Sequence, residues 1–159
     1  MNTAYLLLGS NLGDKQAFLS RAIESIGKRC GKVTAHSALY NTEPWGTTDQ
    51  DDFLNQAVCI ETTLPAQELL STILSIEEKL GRTRTKKWEA RTIDIDILFF
   101  NSDIVNEENL TIPHPFFYER KFALSPLAEI AGDFVHPILK KSVKNLLLNC
   151  DRNLLVNRL

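Results

Sequence analysis

Two aspartates one residue apart, in Thr92-Ile93-Asp94-Ile95-Asp96-Ile97, have the spacing most suggestive of chemistry. Strand alternation sends Ile93, Ile95 and Ile97 to one face and both carboxylates to the other. Same-face positions on a strand lie about 7 Å apart. At an effective dielectric of about 20, two carboxylates at that spacing repel by about 2 kcal/mol. A solvated strand end removes that cost, and so does a cation between the groups. Leu98 and Phe100 are expected to continue the aspartate face with apolar residues, so this face is not simply wet along its length. A hard divalent ion, which takes oxygen ligands and keeps water and phosphate in its shell, suits such a pair.

The segment just before the pair decides between the two. Arg82, Arg84, Lys86, Lys87 and Arg91 are opposed only by Glu89. A solvated charge run is common, but Trp88 in its middle is out of place in one. Cations beside a carboxylate pair make sense where both grip one polyphosphate, metal from one side and guanidinium forks from the other. Phosphoryl transfer requires this, because its catalysis is mostly positioning and charge neutralisation. Gly9-Ser10-Asn11-Leu12-Gly13 lacks the lysine and hydroxyl of a Walker A loop and reads as a tight strand-to-helix turn.

The elements that must hold these residues follow from periodicity. Residues 4–9 form a short apolar strand closed by a Gly/Asn turn. A helix is expected over 14–29, with Asp14 as its cap, Phe18, Leu19, Ala22, Ile23 and Ile26 as its buried stripe, and Gly31 ending it. Residues 32–41 read as extended, and a turn-rich loop from Thr42 to Asp52 leads into a strand from Phe53 to Thr62. Pro65 suits the first turn of a helix running to Leu80, with Gly81 beyond it. A strand over 92–100 completes the order βαββαβ. Its two helices would cover one face of an antiparallel sheet, leaving the other for a C-terminal subregion and a ligand. Leu110-Thr111-Ile112 suggests a short strand before Pro113-His114-Pro115, and two short helices are expected within 116–131 and 142–149.

A chain of 159 residues with 43% hydrophobic and 24% charged residues fits a single globular domain over residues 1–159. The net charge of −2 argues against wholesale binding of nucleic acid or an anionic membrane, so anion binding must be local. Cys30, Cys59 and Cys150 are odd in number and lack metal-ligand spacing, which makes them small hydrophobes of a reduced, cytoplasmic protein. The run Tyr5-Leu6-Leu7-Leu8 is too short for a signal core or a membrane span.

With these segments in place, the sequence resembles the 6-hydroxymethyl-7,8-dihydropterin pyrophosphokinases of folate biosynthesis. The resemblance is carried by Gly9-Ser10-Asn11-Leu12; Tyr40-Asn41-Thr42 with Pro44 and Gly46; Asp49-Gln50 and Phe53-Leu54-Asn55; Glu77 with Gly81-Arg82-Thr83-Arg84; Arg91-Thr92-Ile93-Asp94-Ile95-Asp96; and Pro113-His114-Pro115 with Arg120. It implies a ferredoxin-like α+β fold with a small C-terminal extension, acting as a monomer on small molecules. The implied reaction transfers the β,γ-pyrophosphoryl group of ATP to the pterin's hydroxymethyl oxygen and releases AMP.

Carried over by motif position, Asp94 and Asp96 would hold two Mg²⁺ ions that bridge the triphosphate, and Asp96 would help take the hydroxyl proton. Arg82, Arg84 and Arg91 would grip the phosphates, with Lys87 beside them. His114 and Arg120 would meet the phosphate and ribose region. Leu70, Leu74, Ile97, Leu110 and Thr111 would line the adenine pocket, and Glu77 would organise the site from its helix. Phe53 and Phe122 would sandwich the pterin, with Trp88 nearby. Asn55 would read the ring's amide-like edge, completed by backbone groups around Thr42, Pro44 and Trp45. The chain departs from the family pattern at Lys87, where an arginine is frequent, at Glu89-Ala90 in place of Gly-Pro, and at Asp51 in place of proline.

Two other classes compete. An RNA-binding module can share the βαββαβ order, but it needs exposed aromatics in a glycine/aromatic consensus that this sequence lacks. A metal-dependent phosphohydrolase could use the same aspartates, but it has no need of a flat-ring clamp.

Overall fold

The structure, a computed structural model, describes residues 1–42, 52–81, 92–150 and 156–159. Its first half alternates β1 (Asn2–Ser10), α1 (Lys15–Arg29), β2 (Lys32–His36), β3 (Tyr40–Thr42), β4 (Phe53–Thr62), α2 (Ala66–Lys79) and β5 (Asp94–Phe100). The hairpin of β6 (Val105–Glu107) and β7 (Leu110–Ile112) follows, then a 3-10 turn at Phe117–Glu119, α3 (Lys121–Ala131), α4 (Val143–Leu148) and β8 (Val156–Arg158).

Local chemistry explains the two long helices. Asp14 caps α1 by accepting the Ala17 N–H at 3.2 Å, and Lys28 and Arg29 in the last turn oppose the negative end of the helix dipole. Leu19, Ala22 and Ile26 bury its stripe. A Cβ at Gly31 would collide with the Glu61 carbonyl, so only glycine lets the chain leave α1 so close to β4. In α2 the buried positions are Leu69, Ile73, Ile76 and Glu77. Pro65 stands at the N-cap, one place before the first turn where sequence placed it, because its extended backbone (ψ 160°) is still outside the helix. Gly81, at φ 93°, takes the left-handed conformation that ends the helix. Among the described residues, no helix is long and apolar enough to cross a membrane.

The sheet runs β5-β1-β4-β3-β8, with β2 also pairing on β4, and every pairing is antiparallel. The βαββαβ part is therefore the ferredoxin-like α+β arrangement. The extended segment expected over 32–41 is two strands, because the backbone ladder to β4 is interrupted between them. There the Ser37 N–H donates to the Ala57 carbonyl, but the Ala57 N–H donates to the Ser37 hydroxyl in place of a backbone carbonyl. β8 and β6 carry too little apolar alternation to be visible in sequence.

One core lies between the sheet and α1 and α2, built from Leu6, Leu8, Ile26, Ile73, Ile95 and their neighbours. A second lies beneath α3 and α4 on the opposite face, around Leu7, Ala57, Phe99, Phe117 and Leu127. The strand alternation expected past Asp96 fails. The β1–β5 register steps from Leu6↔Ile97 to Tyr5↔Phe99, so Leu98 is an inserted residue. The bulge sends Phe100 into the first core with Ile95 and Ile97, whereas Leu98 and Phe99 join the second.

Candidate active site

β1 supplies the axis of the site. Gly9 pairs with Asp94 on one side and Asn55 on the other, Asn55 pairs with Tyr40, and Tyr40 pairs with Arg158. One straight row thus crosses five of the sheet's six strands, β5, β1, β4, β3 and β8. In the next row Asp96 faces Leu7, which faces Ala57. Directly opposed residues share a face, and Leu7 and Ala57 belong to the α3/α4 core. Both aspartates therefore stand on that face with Asn55, with Phe53 and Thr42 one row further along β4 and β3. Two inter-strand spacings put Asp94 and Asn55 about 10 Å apart at their Cα atoms.

Gly9 matters here as a strand residue, which corrects its expected place in a turn. β1 continues through Ser10, and the left-handed turn falls at Gly13, φ 71°. An added Cβ at Gly9 would lie 2.7 Å from Asn55 Oδ1, so the amide lies over the space a side chain would fill. Asn55 Nδ2 and Thr42 Oγ1 are buried with no hydrogen-bond partner among the described residues. Buried polar groups are nearly always satisfied, so two orphans on one ledge mark a surface built for a polar ligand. Ser10 Oγ and Thr92 Oγ1 are in the same condition nearby.

On the other flank, Glu77 of α2 is 1% exposed and its Oε2 accepts the Ile95 N–H at 2.7 Å. Ile95 lies between the two aspartates, on the edge strand. His114 Nε2 is 3.8 Å from Asp96 Oδ1, and its Nδ1 is 3.1 Å from the Pro115 carbonyl. Burial pushes the His114 imidazole below its ordinary value; Arg120 adds to this, while the Pro115 carbonyl and Asp94 pull it back up. The ring is thus neutral near pH 7 and close enough to Arg120 and Asp94 to feel both charges.

Leu70, Ile97 and Leu110 come together in the first core, beside the β5 edge. Leu74 is half-buried on α2 and Thr111 is exposed on β7, so neither joins that cluster. Gln67 and Asn109 exchange hydrogen bonds of 3.1 and 3.2 Å, which ties α2 to the β6–β7 hairpin on that side. Phe53 and Phe122 are half-buried on the aspartate face, unlike the fully buried Phe99 and Phe117. Arg120 is exposed just before α3. Arg82, Arg84, Lys87, Trp88, Arg91, Pro44 and Trp45 lie outside the described residues. Cys30 and Cys59 are buried free thiols, and burial pushes Cys30 up to about 11, which suits an inert packing role.

The donor set fits magnesium. Among the described residues no group of three or more His, Cys, Asp or Glu side chains could hold an ion. Two carboxylates leave most of an octahedral shell to water and phosphate oxygens, the mode magnesium prefers.

Known proteins resemble this chain along most of its length. A 2-amino-4-hydroxy-6-hydroxymethyldihydropteridine pyrophosphokinase of Methylorubrum extorquens is 53% identical over 136 residues, 85% of this chain and 86% of that protein. One of the same name from Bacillus subtilis is 48% identical over 130 residues, covering 81% and 78%. A Plasmodium falciparum HPPK-DHPS structure superposes with a TM-score of 0.78 at 19% identity, which speaks for the fold alone. That match covers 92% of this chain but 44% of the parasite protein. The family described as 7,8-dihydro-6-hydroxymethylpterin-pyrophosphokinase (HPPK) matches residues 5–132, and the chain belongs to it.

Proposed function

We infer that the chain transfers the pyrophosphoryl group of ATP to the hydroxymethyl oxygen of 6-hydroxymethyl-7,8-dihydropterin, giving AMP and the pterin diphosphate in folate biosynthesis. The observation that carries this is the Asp94–Gly9–Asn55 row, which sets an anionic ledge and an amide whose Nδ2 has no partner among the described residues on one face, two strands apart. That span suits a flat ring read by Asn55 with its hydroxymethyl arm directed toward Asp94.

Asp94 and Asp96 would hold two magnesium ions, whose chemistry is to neutralise the triphosphate and lower the pKa of the attacking hydroxyl. Asn55 offers the pterin both a donor and an acceptor, matching the two-sided hydrogen bonding of its pyrimidinone edge. Thr42 Oγ1 adds a further polar contact, and Phe53 and Phe122 clasp the ring faces. On the nucleotide side, Leu70, Leu74, Ile97, Leu110 and Thr111 line the adenine, while His114 and Arg120 meet the ribose and phosphates. Arg82, Arg84, Lys87 and Arg91 are assigned to the triphosphate, and Trp88, Pro44 and Trp45 to the pterin. Asp96 accepts the hydroxyl proton, and Glu77 holds β5 so that both aspartates keep their aim. The enzyme acts in the cytoplasm as a monomeric single domain, with small molecules as its only partners.

The deciding experiment incubates the protein with MgATP, with and without the pterin alcohol, and separates the nucleotides. AMP formed only with pterin is the expected result. ADP or phosphate formed without pterin would instead identify a hydrolase.

A further inference from the structure

The pterin row does not end at Asn55. Its next residue, Tyr40, is 8% exposed and directly opposes Asn55 in the β3–β4 pair, which places their Cβ atoms about 5 Å apart. A buried tyrosine needs a partner for its hydroxyl, and Tyr40 donates to Glu129 Oε1 of α3 at 2.7 Å. The same carboxylate accepts Arg158 Nε at 3.0 Å and, through Oε2, the Ala38 N–H at 2.9 Å. One side chain thus joins α3, the start of β3 and the C-terminal strand β8. Burial alone would raise the Glu129 carboxyl, but its donors outweigh that and hold it below the ordinary value, so it is ionised at neutral pH.

β8 completes the other border of β3, pairing Val156 with Thr42 and Arg158 with Tyr40, and the Leu159 N–H reaches the Leu39 carbonyl at 2.8 Å. Without β8, a three-residue strand carrying Thr42 would be an edge strand free to fray. Asn55 is meanwhile flanked by Gly9 in β1 and by Tyr40 in β3, its two opposed neighbours. Holding Tyr40 in place therefore fixes one of the two borders of the Asn55 amide.

We propose that Glu129, Tyr40 and Arg158 are positioning residues for pterin recognition, with Glu129 clamping Tyr40 beside Asn55 and fastening the C-terminal strand behind Thr42; the role rests on the pterin occupying this row. None of the three needs to touch substrate. Their effect falls on the pterin side, because the β5 edge where ATP is placed lies at the far end of the row.

The test measures KM for pterin and for ATP, with kcat and thermal midpoint, in the full chain carrying Tyr40→Phe, Glu129→Ala, Glu129→Gln, Arg158→Ala or Asn55→Ala. Tyr40→Phe and Glu129→Ala should raise the pterin KM about tenfold, as expected for one lost charge-assisted hydrogen bond, and leave the ATP KM within about twofold. Arg158→Ala should raise the pterin KM less, and Glu129→Gln, which keeps an acceptor for Tyr40, should recover most of the loss. Tyr40→Phe keeps the ring and its packing, so its result stands even if Glu129→Ala folds poorly. Unchanged pterin KM in Tyr40→Phe and Arg158→Ala, with a raised one in Asn55→Ala, overturns the clamp and leaves the pterin assignment standing. If Asn55→Ala is also silent, the assignment and the clamp fall together. Equal shifts in both KM values would show a general structural role and overturn the proposal.

Discussion

The backbone N–H of Ile95 donates to Glu77 Oε2 at 2.7 Å, so the residue between the two aspartates is held by a buried carboxylate from the neighbouring helix. β5 is the edge strand, with β1 on one side only, and Glu77 supplies the acceptor that a further strand would. Glu77→Ala leaves that N–H unsatisfied, at a cost of about 1–3 kcal/mol. The expected outcome is a stability loss of that size, read as a lower urea midpoint, together with reduced kcat. Glu77→Gln keeps an acceptor oxygen and should recover most of the stability. Urea unfolding of both variants, set beside their turnover, checks this; full stability in Glu77→Ala would remove the strut.

Asp96 is half-exposed and lies 3.8 Å from the His114 ring, while Ile95 and Ile97 on either side of it carry core packing. Asp96→Ala should therefore keep the thermal midpoint, within about 0.5 kcal/mol of stability, while turnover falls about 10³-fold or more. Retained turnover would take Asp96 out of the chemistry.

The shared face of Asp94 and Asp96 was legible because a D-x-D strand segment carries its own alternation, and the α1 and α2 stripes were equally legible. Phe100 was misplaced because the bulge at Leu98 depends on the partner strand, β1, which no local pattern reveals. Gly9 was missed for a similar reason. Its requirement comes from Asn55, 46 positions away in the chain, and a glycine next to Ser-Asn reads locally as a turn. β8 is three residues whose strand character exists only through Tyr40–Thr42.

Arg84 is assigned to the triphosphate and not to the pterin. Arg84→Ala should weaken ATP binding about tenfold or more, the loss of one charge-assisted pair, with pterin affinity little changed. Calorimetry with each substrate alone checks this, and equal losses would count against the phosphate role.

His136 gives the fold a pH signature apart from the site. Its Nδ1 accepts the Ile138 and Leu139 N–H groups at 3.2 and 3.1 Å, which leaves no place for a proton there. Its ring stacks on Phe117 and meets the edge of Phe99, and burial lowers its pKa from the ordinary 6.5. The unfolded chain then binds the proton more readily than the folded one. Stability from this group is therefore complete above about pH 6.5 and is lost as pH falls from there toward the folded value, with a slope no steeper than about 1.4 kcal/mol per pH unit. His114 shifts in the same direction and contributes likewise. His136→Asn keeps an acceptor near Nδ1 and removes the titration, so its stability curve should be flatter below pH 6.5, whatever offset the lost ring introduces. Parallel curves for the two proteins would contradict this.

Gly9 offers the sharpest separation of fold from recognition. A Cβ there comes within 2.7 Å of Asn55 Oδ1, the far end of a side chain and not backbone. The backbone can accept the methyl, since alanine in β1 demands no unusual φ, but the Asn55 amide must swing aside. Gly9→Ala should keep its thermal midpoint within about 1 kcal/mol of stability. Its pterin KM should rise about tenfold or more, because the displaced amide loses its hydrogen bonds to the ring. In the Asn55→Ala background the same change should add little, since nothing remains to displace; a double-mutant cycle reads this directly. Additive effects would mean that Gly9 acts on the pterin by another route than Asn55.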